Sequence, residues 1–337
     1  MSVYSFWMTI LIVMYHLAPH IMDLFSFRGD RYCRNFFELF GSIALNYFFA
    51  ASAYKFFVSK KTIKDKLTKR IQTLIIPFLT WNTLYILLYT LQNGVPDVET
   101  LILGYTLSPF DGPLWYIFVL YIFFVVFAFV HSKNKQVFMS LIILLAIVAS
   151  IFHLLLIKEI VVFPYFAWIE RTLRMLPPFL IGAFGAEKKN RKLIHNASNK
   201  VSSIAIVGAV ICIVFATYVG DSMITIILMY LCTALLWRAY PNFSLKKNSI
   251  MHSEMFVIYA LHEGVIVVTL ALINKFKIVI SNNISIMLLI IALEIFVIFG
   301  IGLLLNVCLK KLPAKIDILL TGGRNVRTYR DFKINKR

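Results

Sequence analysis

Ten stretches of roughly 20 predominantly apolar residues run almost end to end through this chain, and they limit what it can fold into. A helix needs about 20 such residues to cross the hydrocarbon core of a bilayer. Inside lipid every backbone N–H and C=O must find its partner within the structure, which leaves helices and closed barrels. The stretches cover residues 3–22, 36–58, 71–92, 113–131, 137–157, 164–186, 202–219, 222–240, 255–273 and 285–309. They predict an all-α, polytopic membrane bundle of about ten transmembrane helices. Composition agrees: 60% of residues are hydrophobic, 15% are charged and the mean hydropathy is +0.81. Soluble domains carry about 25% charged residues. A water-soluble fold, a disordered chain and a disulfide scaffold are thereby excluded, the last also because there are only four cysteines. The first stretch lacks a basic leader and a small-residue cleavage site, so it reads as a retained helix.

Orientation follows from the placement of Lys and Arg. With the N-terminus inside, the loops at 59–70, 132–136, 187–200, 238–254 and 310–337 hold 25 of the 34 basic residues, and the opposite loops hold six. Both termini are therefore expected in the cytoplasm, in a multi-pass protein of the cell membrane. Residues 1–310 read as one integral-membrane domain and 311–337 as a basic cytoplasmic tail. The net charge of +18 points to an anionic inner leaflet and not to nucleic acid. The segment KKTIKDKLTKR (residues 60–70) puts Lys66 and Arg70 on one helical face. With Lys188–Lys192 and Lys246–Lys247 it makes a rim suited to a polyanion such as coenzyme A.

Ionisable side chains within membrane segments are costly, about 2.5–3.5 kcal/mol each on insertion scales, and are candidates for function. His16 lies too deep in the first stretch for an interfacial residue. Arg171 and Arg174 are three apart on the sixth and share a face; they could snorkel outward, but doing so together with Glu170 would leave a short helix. His262 and Glu263 lie in the ninth. Glu294 sits mid-way along the tenth, where it could equally pair with an intramembrane arginine for structural reasons. His20 and His153 read as interfacial, and the Phe48-Phe49 and Phe123-Phe124 pairs as lipid-facing packing. No phosphate-binding loop, dinucleotide fingerprint, nucleophile elbow or CxxC pair is present. His16 and His20 have zinc-protease spacing, but the intervening Glu is missing and Pro19 interrupts, so no metal is predicted there.

Six strings, in order along the chain, resemble the membrane-bound acyltransferase type 3 family of bacterial O-acyltransferases. They are the apolar run closing on Tyr15-His16, NYFFAASAYKFF (46–57), KRIQTLIIPFLTWN (69–82), GPLWYIFVLY (112–121), RTLRMLPPFLIGAFGA (171–186) and MFVIYALHEGVIV (255–267). Ala53 stands where the family has Gly, and Pro113 where it has His. The family pattern also carries an Arg eleven residues before the first His and an Asp three residues earlier. Ser5 and Ser2 occupy those places. Either the true start lies upstream, or a substrate-binding Arg has been given up.

The resemblance implies transfer of an acyl group, most often acetyl, from cytoplasmic acyl-CoA to a hydroxyl of a cell-surface or lipid-linked saccharide. No permanently bound cofactor is implied; acyl-CoA is the donor substrate, and polysaccharide-assembly proteins are possible partners. A sugar hydroxyl needs a base poised near neutral pH, and His16 is assigned that role. Arg171 and Arg174 are assigned to the oxyanion of the thioester carbonyl. Lys66, Lys69 and Arg70 would hold the coenzyme phosphates. Trp115, His262 and Glu263 are placed at the acceptor, with His262 equally readable as a helix-packing hydrogen bond. The basic rim lies inside and His16 toward the outside, so the donor must reach across the bilayer through a water-lined cavity or pass its acyl group through a covalent relay. Two other readings are a non-catalytic relative that exports or presents a polysaccharide and, less favoured, an unrelated transporter.

Overall fold

In a computed structural model, residues 2–24, 31–106, 108–130, 135–158, 166–187, 198–239, 251–275 and 284–324 are described. They form helices α1 (Ser2–Leu24), α2 (Arg31–Val58), α3 (Ile63–Arg70), α4 (Ile76–Asn93), α5 (Val98–Gly104), α6 (Trp115–Val130), α7 (Lys135–Ile157), α8 (Phe166–Gly185), α9 (Asn199–Val219), α10 (Met223–Ala239), α11 (Met251–Lys275), α12 (Ile284–Lys311) and α13 (Ala314–Thr321). No strand occurs among the described residues. A helix coincides with each of the ten apolar stretches. Six helical segments are long and apolar enough to cross a membrane, and three shorter apolar helices accompany them. Helix α8 falls outside both sets because Glu170, Arg171 and Arg174 interrupt its apolar run. The basic loops around Lys188–Lys192 and Lys246–Lys247 lie outside the described residues.

The chain divides into two compact units. The first holds α2, the second half of α6, and α7 to α10. Water cannot drive helices together inside lipid, so close packing must hold them. At the α2–α8 crossing Gly182 replaces a side chain with a backbone contact: a Cβ there would lie 1.9 Å from the carbonyl oxygen of Ala50. Phe179, fully buried, meets Phe123 at 5.3 Å, and Phe124 and Phe127 each at 5.7 Å, between ring centroids. Phe49 is also fully buried, so these phenylalanines form protein core and do not face lipid. Helices α9 and α10 form an antiparallel pair whose turn uses Gly220 at φ 76°, a left-handed value that glycine adopts without a Cβ clash.

The second unit holds α1, α3 to α5, the start of α6, and α11 to α13. Helix α1 packs on α11 and α12. Between α3 and α4, residues Ile71–Ile75 widen into a π-helical turn. Pro77 explains it: proline has no N–H to give to the carbonyl four residues back, that of Thr73. The orphaned Thr73 carbonyl accepts instead from Arg324 Nη2 at 2.9 Å. Helix α13 closes at Gly322 and Gly323, both left-handed (φ 68° and 72°), with Gly323 N–H donating to the Asp317 carbonyl at 3.3 Å. The turn delivers the Arg324 guanidinium over the ring of Phe256, 4.0 Å from its centroid. Trp81 Nε1 donates to the Leu320 carbonyl at 2.9 Å. Residues 314–324 of the expected tail are thus folded into this unit.

Candidate functional site

The second unit gathers three ionisable side chains from helices distant in sequence. Helix α1 contributes His16, and α11 contributes His262 and Glu263. His16 Nδ1 lies 3.4 Å from Glu263 Oε2, close enough for an ion pair yet not aligned as a hydrogen bond. The rings of His16 and His262 meet nearly edge to face at 5.2 Å, and Tyr15 packs on His16 at 4.7 Å. Consecutive positions 262 and 263 point about 100° apart on a helix, so both reach α1 only because α1 lies over the edge between them.

The backbone of α11 is fixed at this place by tyrosines. The Tyr85 hydroxyl donates to the Ala260 carbonyl and accepts from the Gly264 N–H, each at 3.2 Å. A Cβ at Gly264 would lie 2.8 Å from that hydroxyl, so the small residue lets α4 approach. The Tyr259 hydroxyl donates to the Pro113 carbonyl. His262 Nδ1 lies 2.5 Å from the Tyr259 carbonyl and so carries the ring proton. Its Nε2 is left with a lone pair, buried and without a partner. The sequence left His262 open between a packing hydrogen bond and a polar site residue; Nδ1 makes the packing hydrogen bond, and Nε2 has no partner.

Asp111 is a buried ionisable residue of the same unit that the sequence did not single out. It lies just before α6 in a loop held by Asn82, which donates to the Gly104 carbonyl (2.8 Å) and accepts from the Phe110 N–H (2.9 Å). Asp111 is fully buried, and both its oxygens lack hydrogen-bond partners. Burial, and then the charge of Glu263, push its carboxyl well above the usual carboxylate range. Its signal was weak because position 111 precedes the apolar run and reads as an ordinary loop acid. Trp115 is buried in the first turn of α6; the next residue, Tyr116, packs against Tyr259 at 5.0 Å. Of the proposed donor-binding residues on α3, Lys69 is exposed while Lys66 and Arg70 are half-buried. Glu294 is buried with its Oε1 lacking a hydrogen-bond partner, and no ion pair with an arginine is formed among the described residues.

Arg171 and Arg174 belong to the first unit, and His16 to the second. Arg171 lies 4.9 Å over the ring of Trp168. Arg174 Nε is 3.6 Å from Glu170 Oε1, and its carbonyl accepts from the Tyr230 hydroxyl at 3.0 Å. Glu170 also takes His153 Nδ1 at 3.0 Å, while His153 Nε2 meets Asp221 Oδ1 at 2.9 Å. His153 is 4% exposed, so it is buried within the protein at its helix end. With both ring nitrogens committed to carboxylates, it cannot serve as a base. The hydrogen bond from His153 holds the Asp221 carboxyl below its ordinary range.

A family model described as an acyltransferase domain matches residues 6–306. No curated protein and no solved structure matches the chain.

Proposed function

The chain belongs to the membrane acyltransferase type 3 family, and on that premise we propose that it transfers an acyl group, acetyl in the first instance, from acyl-CoA to a hydroxyl of a cell-surface or lipid-linked saccharide. The observation that carries this reading is the approach of Glu263 to His16 across two helices. Glu263 accepts the Nδ1 proton and fixes the tautomer, which leaves His16 Nε2 to take the proton of the acceptor hydroxyl. The 3.4 Å separation shortens by about half an ångström as substrate draws the pair together, as catalytic hydrogen bonds do on binding.

The deprotonated hydroxyl oxygen attacks the thioester carbonyl, and a C–O bond forms. The carbonyl oxygen becomes an oxyanion that needs hydrogen-bond donors, the role the sequence assigns to Arg171 and Arg174. Collapse breaks the C–S bond, and the departing thiolate takes the proton back from His16. The products are the saccharide ester and free coenzyme A. Lys66, Lys69 and Arg70 hold the coenzyme phosphates, and Trp115 walls the acceptor. His262 Nε2, a bare acceptor beside the base, receives a second hydroxyl of the sugar. In this reading ten helices cross the inner membrane with both termini in the cytoplasm, and polysaccharide-assembly proteins present the acceptor.

The experiment is transfer from radiolabelled acetyl-CoA by the purified full-length chain in nanodiscs, with His16→Ala alongside. A loss of about 10²–10⁴-fold in the variant is expected for a positioned base. Undiminished turnover would refute the assignment. No turnover by folded wild-type protein would favour a relative that exports or presents the polysaccharide, a reading to which Ser5 in place of the family's Arg lends weight.

A further inference from the structure

We propose that His16, His262 and Glu263 form a binding site for a divalent transition-metal ion of the zinc class, and that the ion inhibits acyl transfer by occupying the imidazole that serves as base. One donor atom from each of the three residues lies within 4.8 Å of the other two. Ligands about 2.1 Å from a tetrahedral zinc sit about 3.4 Å apart. Rotation of the Glu263 side chain, itself a quarter exposed, supplies the remaining contraction.

Two buried atoms at this place lack a hydrogen-bond partner within the fold. His262 is fully buried, yet its Nε2 has no hydrogen-bond partner. Glu263 Oε2 is also buried and makes no hydrogen bond. Buried polar atoms are rarely left unsatisfied, and an ion is one of the partners that completes such sets. The environment of His262 is that of a metal ligand. Its Nδ1 proton is given to a backbone carbonyl, that of Tyr259, at 2.5 Å. This fixes the tautomer and turns the Nε2 lone pair outward, the arrangement that metal-bound histidines use. Tyr85 pins the backbone at Ala260 and Gly264 on either side of the pair.

Two imidazoles and one carboxylate favour zinc over magnesium or calcium, which prefer all-oxygen sets. Three protein ligands leave a fourth position for water, as in open zinc sites. An imidazole whose lone pair is bound to the ion cannot accept a hydroxyl proton. The inhibitory half of the proposal rests on the base role of His16; the binding half does not.

The test uses tag-free, metal-stripped full-length protein in detergent, with cobalt(II) as the probe. Wild type is expected to show the visible absorption of tetrahedral cobalt at one ion per chain, abolished by zinc. His262→Ala and Glu263→Gln are expected to weaken cobalt uptake at least 10-fold with unchanged helical circular dichroism. His20→Ala, an exposed neighbour on α1, keeps the spectrum and controls for general damage. In transfer assays zinc is expected to lower wild-type turnover at least 10-fold, reversibly with EDTA. Absence of a stoichiometric spectrum in wild type, or an equal one in both ligand variants, would overturn the site. Cobalt binding with full turnover of the zinc-loaded protein would overturn the inhibition and the base role together. No cobalt binding alongside a dead His16→Ala would overturn the metal site and leave the base in place.

Discussion

Gly182 and Ala50 bring α8 and α2 into backbone contact, with room for no side-chain atom at 182. The substitution Gly182→Ala must therefore push two helices apart. Overpacking of this kind costs about 1–3 kcal/mol. Gly300, on α12, has nothing within 4 Å of a Cβ, so Gly300→Ala should leave thermal stability unchanged or raise it. A stable Gly182→Ala protein, measured by fluorescence-detected melting, would contradict the packing.

His153 ties Glu170 to Asp221. Replacing it with Phe strands the Glu170 carboxylate, with only the 3.6 Å contact to Arg174 in compensation. Breaking one side of a buried pair costs about 3–5 kcal/mol, so His153→Phe should melt far below wild type. The pH sense follows from Asp221, whose folded-state carboxyl ionises below its unfolded value. Its contribution is present above the ordinary carboxylate range, near pH 4, and fades as acid is added through the folded value. Asp221→Asn should show less loss of melting temperature between pH 5 and pH 3, taken as rough limits of that window.

Asp111 works in the opposite sense. A carboxyl whose folded value is raised favours the folded state while protonated, and that advantage is lost as pH rises through the folded value. Asp111→Asn keeps the shape and removes the charge. At pH 8 it should melt at or above the wild-type temperature, by the equivalent of about 1 kcal/mol, a share of the penalty for an unsatisfied buried group. A marked loss of stability would show that the carboxylate has a cationic partner.

Glu263→Gln separates orientation from base strength. It preserves volume at 263 but offers no charge to a protonated His16. Turnover should fall on the order of 10²-fold or more, by analogy with the loss seen when the acid of a catalytic triad becomes an amide. The fall belongs in kcat, with KM for the acyl donor little changed.

Much of this was legible before any coordinates. Every apolar stretch became a helix, because a period-independent run of about 20 apolar residues has few other options in lipid. His16, His262 and Glu263 were each visible as costly intramembrane groups, and the structure gathers them in one unit. Their pairing was not legible, since residues 16 and 263 meet only through α1 packing on α11. Asp111 was missed, and the carboxylate partners of His153 were not legible, for different reasons. The loop acid is buried by its neighbours, whereas the histidine at a helix end is buried by carboxylates from two other segments. The π-helical turn could have been anticipated from Pro77, but its cap lies 251 residues away in Arg324.

That cap makes its own prediction. Arg324→Ala removes a charged hydrogen bond worth about 1.5–3 kcal/mol and the contact with Phe256. Melting should drop accordingly, and Arg324→Lys, which keeps the charge, should recover part of the loss.

The recognisable homology stops at residue 306, eighteen positions short of Arg324. Kinship and structural integrity therefore have different borders in this protein. Anyone trimming the gene to the stretch the family model matches would delete the latch that seals the gap opened by Pro77, just beyond the basic helix α3. A reporter fused downstream of 324 leaves that latch shut; one spliced in at 306 pries it open.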